Sequence, residues 1–152
     1  NPGGNDGVVS EFLRYIDVDR IKISTCDHRL GFLMIHEGIS SYRNDKYNDL
    51  LFHGNLYVLT TPVTFSSAMI FAQYVRDNNL GTIIGTAPGN DPNGYGDVAF
   101  FICPNSGIFF QISTKKWYRA DTSAPEGLIE PDIECDIRLW DDAMTALYEA
   151  IG

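Results

Sequence analysis

Hydrophobic and polar residues change rhythm several times along the chain, and each change marks an element. Val8, Val9, Phe12, Leu13 and Ile16 recur at helical spacing while Ser10, Glu11 and Arg14 fall elsewhere, which predicts a short amphipathic helix over residues 8–16. Residues 20–25 alternate and predict a strand. Residues 32–35 are apolar throughout and predict a more buried strand, with Asp27, His28, Arg29 and Gly31 as the turn between the two. Residues 40–49 are polar and irregular and read as a surface loop or a short exposed helix. Residues 56–60 alternate again and are rich in β-formers, helical spacing returns from Ser67 onward, and residues 81–86 predict another strand.

The second half is mostly β. Residues 87–97 are a turn-rich loop, and residues 97–103 and 108–114 predict a hairpin around Pro104, Asn105, Ser106 and Gly107. Residues 115–120 continue it as an amphipathic edge strand. Residues 129–133 are extended, and residues 139–151 predict a closing helix with Trp140, Ala143, Met144, Leu147 and Ile151 on one face.

With 152 residues, 44% of them hydrophobic, the chain makes one domain with its own core. A net charge of -9 removes two partners from consideration, since nucleic acid and anionic membrane surfaces both require a basic face. No apolar run approaches the roughly 20 residues that span a bilayer, so no membrane span is expected in this segment. Cys26, Cys103 and Cys135 are too widely spaced for a C-x-x-C site or a disulfide framework and read as small buried hydrophobes, Cys103 especially because it ends an apolar run. His36-Glu37 does not extend to the zinc pattern H-E-x-x-H, because Ser stands at position 40. No metal or cofactor is expected.

The candidate chemistry lies at the turn between residues 56–60 and the helix after it. Ser66 stands there, where free backbone N–H groups and the positive end of a helix dipole favour developing negative charge. Thr64, Ser66 and Ser67 are equally of the type that caps a helix. Strand, exposed serine, helix is also the geometry of a nucleophile elbow, although the Gly-x-Ser-x-Gly form is absent. Residues 1–7, NPGGNDG, form a glycine turn able to bring backbone N–H groups close to a ligand.

The run VLTTPVTFSSAMIFAQYV followed by LGTIIGTAPGN resembles the serine segment of the tail-specific (C-terminal processing) peptidases, family S41. Asn1-Pro2-Gly3-Gly4 is similar to that family's Asn-x-Gly-Gly loop, and Gly127 to Asp132 to its Gly-x-x-Pro-Asp signature. The resemblance implies an α/β fold of ClpP/crotonase-like stacked β-β-α units. It also implies Ser66 as nucleophile, with the backbone N–H groups of Gly4 and Ser67 as oxyanion donors.

The family's usual catalytic lysine is missing: its position falls on Asp91, and no lysine lies between Ser66 and Lys115. None of His28, His36 and His53 falls where the resemblance places a base. A Ser-His-Glu subset, resembling the chlamydial protease-like factor, fits better. It implies an upstream histidine outside this chain, with Glu126 orienting it and Glu130 as second candidate.

Residues 1–152 are accordingly expected to be the C-terminal part of a bacterial, extracytoplasmic peptidase domain, preceded by further chain, acting on polypeptides and inactive alone. The alternative expectation is a non-catalytic ligand-binding or scaffold domain on the same fold. An acyl-CoA enzyme of the crotonase kind is a third.

Overall fold

The computed structural model describes residues 3–136 and 140–152. In chain order the elements are helix α1 (Asp6–Leu13), strands β1 (Arg20–Lys22), β2 (Thr25–Leu30), β3 (Leu33–Glu37) and β4 (Ser41–Arg43), and a short 3-10 turn Asn48–Leu50. Strand β5 (Tyr57–Thr60), helix α2 (Ser67–Asp77), strands β6 (Thr82–Gly85), β7 (Tyr95–Ile102), β8 (Phe109–Tyr118) and β9 (Ile133–Glu134), and helix α3 (Trp140–Ile151) follow. Among the described residues the strands form three sheets: β5-β6-β9, β3-β2-β8-β7, and the pair β1-β4.

The site is positioned by the parallel unit β5-α2-β6. Parallel neighbours need a crossover, and α2 supplies it while covering one face of the sheet. Ile83 and Ile84 of β6 point to opposite faces and both are fully buried, as a covered parallel strand requires. Met69, Ala72 and Val75 of α2 pack with Val58, Ile83 and Ile129 in one core cluster. Val9 and Leu13 of α1 join Ile21 in a second, and the edge-to-face pair Phe12–Phe71, with ring centroids 5.1 Å apart, links the two. Helix α1 is therefore seated beside α2, which brings the glycine turn before it to the start of α2.

Several expectations change. Residues 27–29 are strand rather than turn: β2 continues through them and the reversal falls at Gly31 (φ 61) and Phe32, so the polar residues Asp27 and His28 pair with β3. The apolar residues of β3 are exposed, not buried, and Phe32 is 91% exposed. Residues 41–43 pair with β1 instead of forming a loop. Residues 115–118 are not an edge, because β8 pairs with β7 on one side and β2 on the other. Cys26 is buried as expected, but Cys103 and Cys135 are only half-buried, and all three are free thiols. In α3, Ala143 is buried, Met144 and Leu147 half-buried and Ile151 exposed, while Leu139 lies outside the described residues.

The outer half of the β7-β8 hairpin carries apolar residues on both faces, with Phe100 stacked on Phe109 and Phe101 on Phe110, all exposed. Such a continuous apolar run is the pattern of a covered strand, and no covering layer is present among the described residues.

Ion pairs fix the periphery. Asp121 is held far below the usual carboxylate range, chiefly by Lys22 Nζ at 2.8 Å and then by the hydroxyl and N–H of Ser123. Asp27 is lowered by the Tyr118 hydroxyl and by His36, and Glu37 by His28 and Lys115. A carboxylate whose folded-state pKa is lowered adds stability that is present above its unfolded pKa of about 4 and is lost as pH falls toward the folded value. Thermal midpoints are therefore expected to fall as pH drops from about 5 to 2, and Asp121→Asn is expected to flatten that fall; an unchanged slope in the variant would rule out Asp121 as a contributor.

Candidate functional site

Strand β5 ends at Thr60, whose hydroxyl donates to the Thr86 carbonyl at 2.8 Å, locking the ends of β5 and β6 together. The chain then reverses through a turn in which Thr64 N–H donates to the Thr61 carbonyl (2.8 Å) and Thr64 Oγ1 accepts from Thr61 N–H (3.0 Å). This turn delivers Ser66 to the N-terminal end of α2.

Thr64, Ser66 and Ser67 have separate tasks at this turn. Thr64 holds the turn, and Ser67 Oγ donates to the Gly4 carbonyl at 3.0 Å. Ser66 occupies the N-cap position, yet its side chain makes no capping bond and is exposed. Its backbone is at φ 53, ψ -128, which lies outside the left-handed helical well and is rarely adopted by a residue with a Cβ, at a cost of about 1–3 kcal/mol. A helix cap adopts extended backbone instead, as Asn5 does for α1 at φ -107, ψ 119. Ser66 is a strained elbow with its hydroxyl turned outward, and Ser67, next in sequence, presents a first-turn N–H with no intrahelical acceptor.

Two loops clamp this elbow. The glycine turn docks from one side: a Cβ on Gly3 (φ 109) would lie 2.8 Å from Ser66 Cβ and 3.0 Å from the Phe65 carbonyl oxygen, so only glycine fits. Gly3 thus touches the serine, while Gly4 is tied through its carbonyl to Ser67; Asn1 and Pro2 of the motif lie outside the described residues. From the other side comes the loop after β6. Gly89 N–H donates to the Thr64 carbonyl at 2.9 Å, and a Cβ on Gly89 would meet the Pro62 carbonyl oxygen at 2.1 Å. That approach carries Asn90 to Ser66, whose N–H donates to Asn90 Oδ1 at 3.0 Å.

Asn90 is the contact that the sequence reading missed. Of the residues after Gly89, it is Asn90 that bonds Ser66, while Asp91 Oδ1 accepts from Asn93 N–H at 2.7 Å. The only signal was a polar residue following a glycine in a loop, too common to single out.

Ser66 opens on a cavity of about 420 Å³. Phe65, Met69, Ile70, Val98 and Trp117 form its apolar walls, and Asp6, Asn90, Asp91 and Asp97 its polar rim. A second cavity, of about 560 Å³, lies on the Ser67 side, between the glycine turn, Val8, Phe12 and Phe71. Glu126 and Glu130 are exposed and line neither cavity; the Glu130 backbone carbonyl accepts from Arg76. The histidines line neither cavity, and two are taken up elsewhere: His36 Nδ1 pairs with Asp27 at 2.8 Å and His28 Nδ1 with Glu37 at 3.2 Å, each across the β2-β3 hairpin. Lys115 Nζ lies 3.0 Å from Asp97 Oδ2, which holds the ammonium charged above its ordinary range. No group of three metal-ligating side chains occurs among the described residues.

A parallel β-α-β unit with a strained serine at its strand-to-helix turn makes this a mixed α/β domain. Within that class the chain belongs to Peptidase family S41, which matches residues 1–135. Curated protein sequences give no match. Solved structures similar to it include a photosystem II D1 C-terminal processing protease (17% identity, TM-score 0.66), which covers all of this chain and 36% of that one. Mature CPAF complexed with lactacystin aligns at 13% identity and TM-score 0.71 over 99% of this chain and 41% of its own. A lipoprotein from Streptococcus agalactiae aligns at 14% identity and TM-score 0.52 over 98% of this chain and 52% of its own. The chain thus spans between about a third and a half of each of these proteins. The family is one of peptidases. Among the described residues no helix is long and apolar enough to cross a membrane.

Proposed function

We propose that this chain is the nucleophile-bearing part of a serine endopeptidase of the tail-specific class, which hydrolyses polypeptides through an acyl-enzyme on Ser66. The observation that carries the reading is the Ser66 backbone: a positive φ at a serine whose hydroxyl caps nothing is strain that a merely structural residue has no reason to hold. In this reading Ser66 Oγ attacks the scissile carbonyl, and the N–H groups of Ser67 and of Gly4 in the glycine turn stabilise the oxyanion.

The proton acceptor is a histidine from chain beyond these residues, oriented by Glu126. Lys115, held protonated by Asp97, is unsuited to the task. Asn90 is a positioning residue that holds the Ser66 peptide unit. The protein acts outside the cytoplasm, in line with its likeness to a lipoprotein.

The test is covalent labelling of the full-length protein with a fluorophosphonate, with the adduct located by mass spectrometry. An adduct is expected on Ser66. Asn90→Ala is expected to slow labelling about tenfold, the cost of one lost hydrogen bond of roughly 1.4 kcal/mol at the elbow. No adduct in a folded full-length protein would overturn the reading in favour of a non-catalytic binding domain.

A further inference from the structure

Two features of the cavity beside Ser66 play no part in forming the nucleophile. The first is its charge. Asp6, Asp91 and Asp97 line it, and no Lys, Arg or His does; Lys115 offsets Asp97 from outside the lining. The second lies at its floor. Gln73 is fully buried, its Nε2 donates to Ser24 Oγ at 2.8 Å, and its Oε1 has no partner among the described protein groups. A buried amide oxygen with no donor is costly in a finished core and marks a place where a donor is expected to arrive. Gln73 and Ser24 both line the cavity, so the orphan acceptor belongs to it.

Ser66 and Gln73 are seven residues apart, which places them on one face of α2 and roughly 10 Å apart along its axis. A substrate side chain entering beside Ser66 passes Met69, Ile70, Val98 and Trp117 before it meets Gln73. Only a long, unbranched side chain with an apolar stem and a donor at its tip satisfies both the walls and the floor. The acidic rim selects a cationic tip over an uncharged one.

We propose that this cavity is a specificity subsite for a lysine or arginine side chain of the polypeptide substrate, on the residue whose carbonyl Ser66 attacks. The stem lies along Met69 and Trp117, an N–H of the head reaches Gln73 Oε1, and the negative charge of Asp6 and Asp91 at the rim favours entry of a cationic side chain. The proposal rests on the peptidase reading of Ser66.

The test uses the full-length protein and matched fluorogenic peptides that carry lysine, arginine, norleucine, leucine or glutamate before the scissile bond. Lysine and arginine peptides are expected to exceed norleucine at least tenfold in kcat/KM. Asp91→Asn, which keeps an acceptor for Asn93 N–H, is expected to bring that ratio within about threefold. Cleavage of norleucine or leucine peptides as fast as lysine peptides overturns the subsite and leaves the peptidase reading standing. If no peptide is cleaved, the peptidase reading fails, and calorimetry then decides the subsite separately, with uncleaved lysine and norleucine peptide amides titrated into the Ser66→Ala protein. Tighter lysine binding that is lost in the Ser66→Ala, Asp91→Asn double variant supports the subsite. Equal binding of the two peptides, or none, overturns it.

Discussion

Ser66→Ala in the full-length protein is expected to abolish fluorophosphonate labelling and to lower kcat for peptide hydrolysis by on the order of 10⁴-fold or more, with KM changed little. The hydroxyl is not a cap, so its loss leaves α2 without a missing bond, and alanine keeps the same Cβ at the same strained backbone. The thermal midpoint of Ser66→Ala is therefore expected to match that of the parent.

Ser66→Gly separates the two roles further. Glycine adopts φ 53, ψ -128 freely, so relief of about 1–3 kcal/mol of strain outweighs the roughly 0.5–1 kcal/mol entropic cost of glycine. The glycine variant is expected to be equally inactive and to melt higher. A residue that lowers stability while its side chain makes no structural bond is the trade expected of a nucleophile. Ser66→Ala that retains hydrolysis, or Ser66→Gly that melts lower, would remove the basis for placing the chemistry here.

Asp77→Ala is expected to be the most damaging single change to stability. Asp77 stands at the C-terminal end of α2 with its side chain 1% exposed, facing Arg119, whose side chain is 9% exposed. Its carboxylate accepts from Arg119 Nε at 3.0 Å and Nη2 at 2.7 Å, and from the Asp121 N–H at 3.0 Å. Arg119 in turn donates to the Pro125 carbonyl at 3.3 Å, and its own N–H reaches Asn93 Oδ1 at 2.9 Å. One buried pair thus joins the end of the nucleophile helix, the end of β8, the loop leading to Glu126 and the loop that follows Asn90.

Removing the carboxylate leaves a guanidinium buried without its counter-charge, a loss of about 3–5 kcal/mol, or roughly 10 °C in thermal midpoint for a domain of this size. Replacing both partners with apolar residues of similar volume is expected to restore much of that loss, since the cost lies in the stranded charge. Thermal unfolding of the single and double variants checks both statements. Equal losses in Asp77→Ala and the double variant would show that the connection between elements, rather than the stranded charge, carries the stability.

The elements nearest the candidate site were readable in the sequence because their patterns are local. Residues 56–60 alternate, Ser67 begins a helical spacing, and Ile83-Ile84 stand between the threonines and glycines of residues 81–86 as a short strand; β5, α2 and β6 follow within a residue or so. The hairpin around residues 104–107 was equally plain, since a Pro-Asn-Ser-Gly turn between apolar runs has few other uses. The region from residue 20 to residue 49 was misjudged because its strands carry polar pairs. His36 with Asp27 and Glu37 with His28 satisfy one another across β2 and β3, and in a linear reading such residues mark a turn.

The order of strand, serine and helix, the glycine turn before the first helix and the lack of a lysine between Ser66 and Lys115 are all legible in the sequence, because each is a matter of residue type and short-range spacing. Tertiary structure alone decided which hydroxyl is left unengaged, that Gly3 rather than Gly4 abuts the serine, that Asn90 rather than Asp91 holds its N–H, and that Gln73 keeps an orphan oxygen beneath it. Each of these depends on the distance between segments far apart in the chain. That distance is set by how α1 and the loop after β6 pack against α2, and no local pattern encodes it.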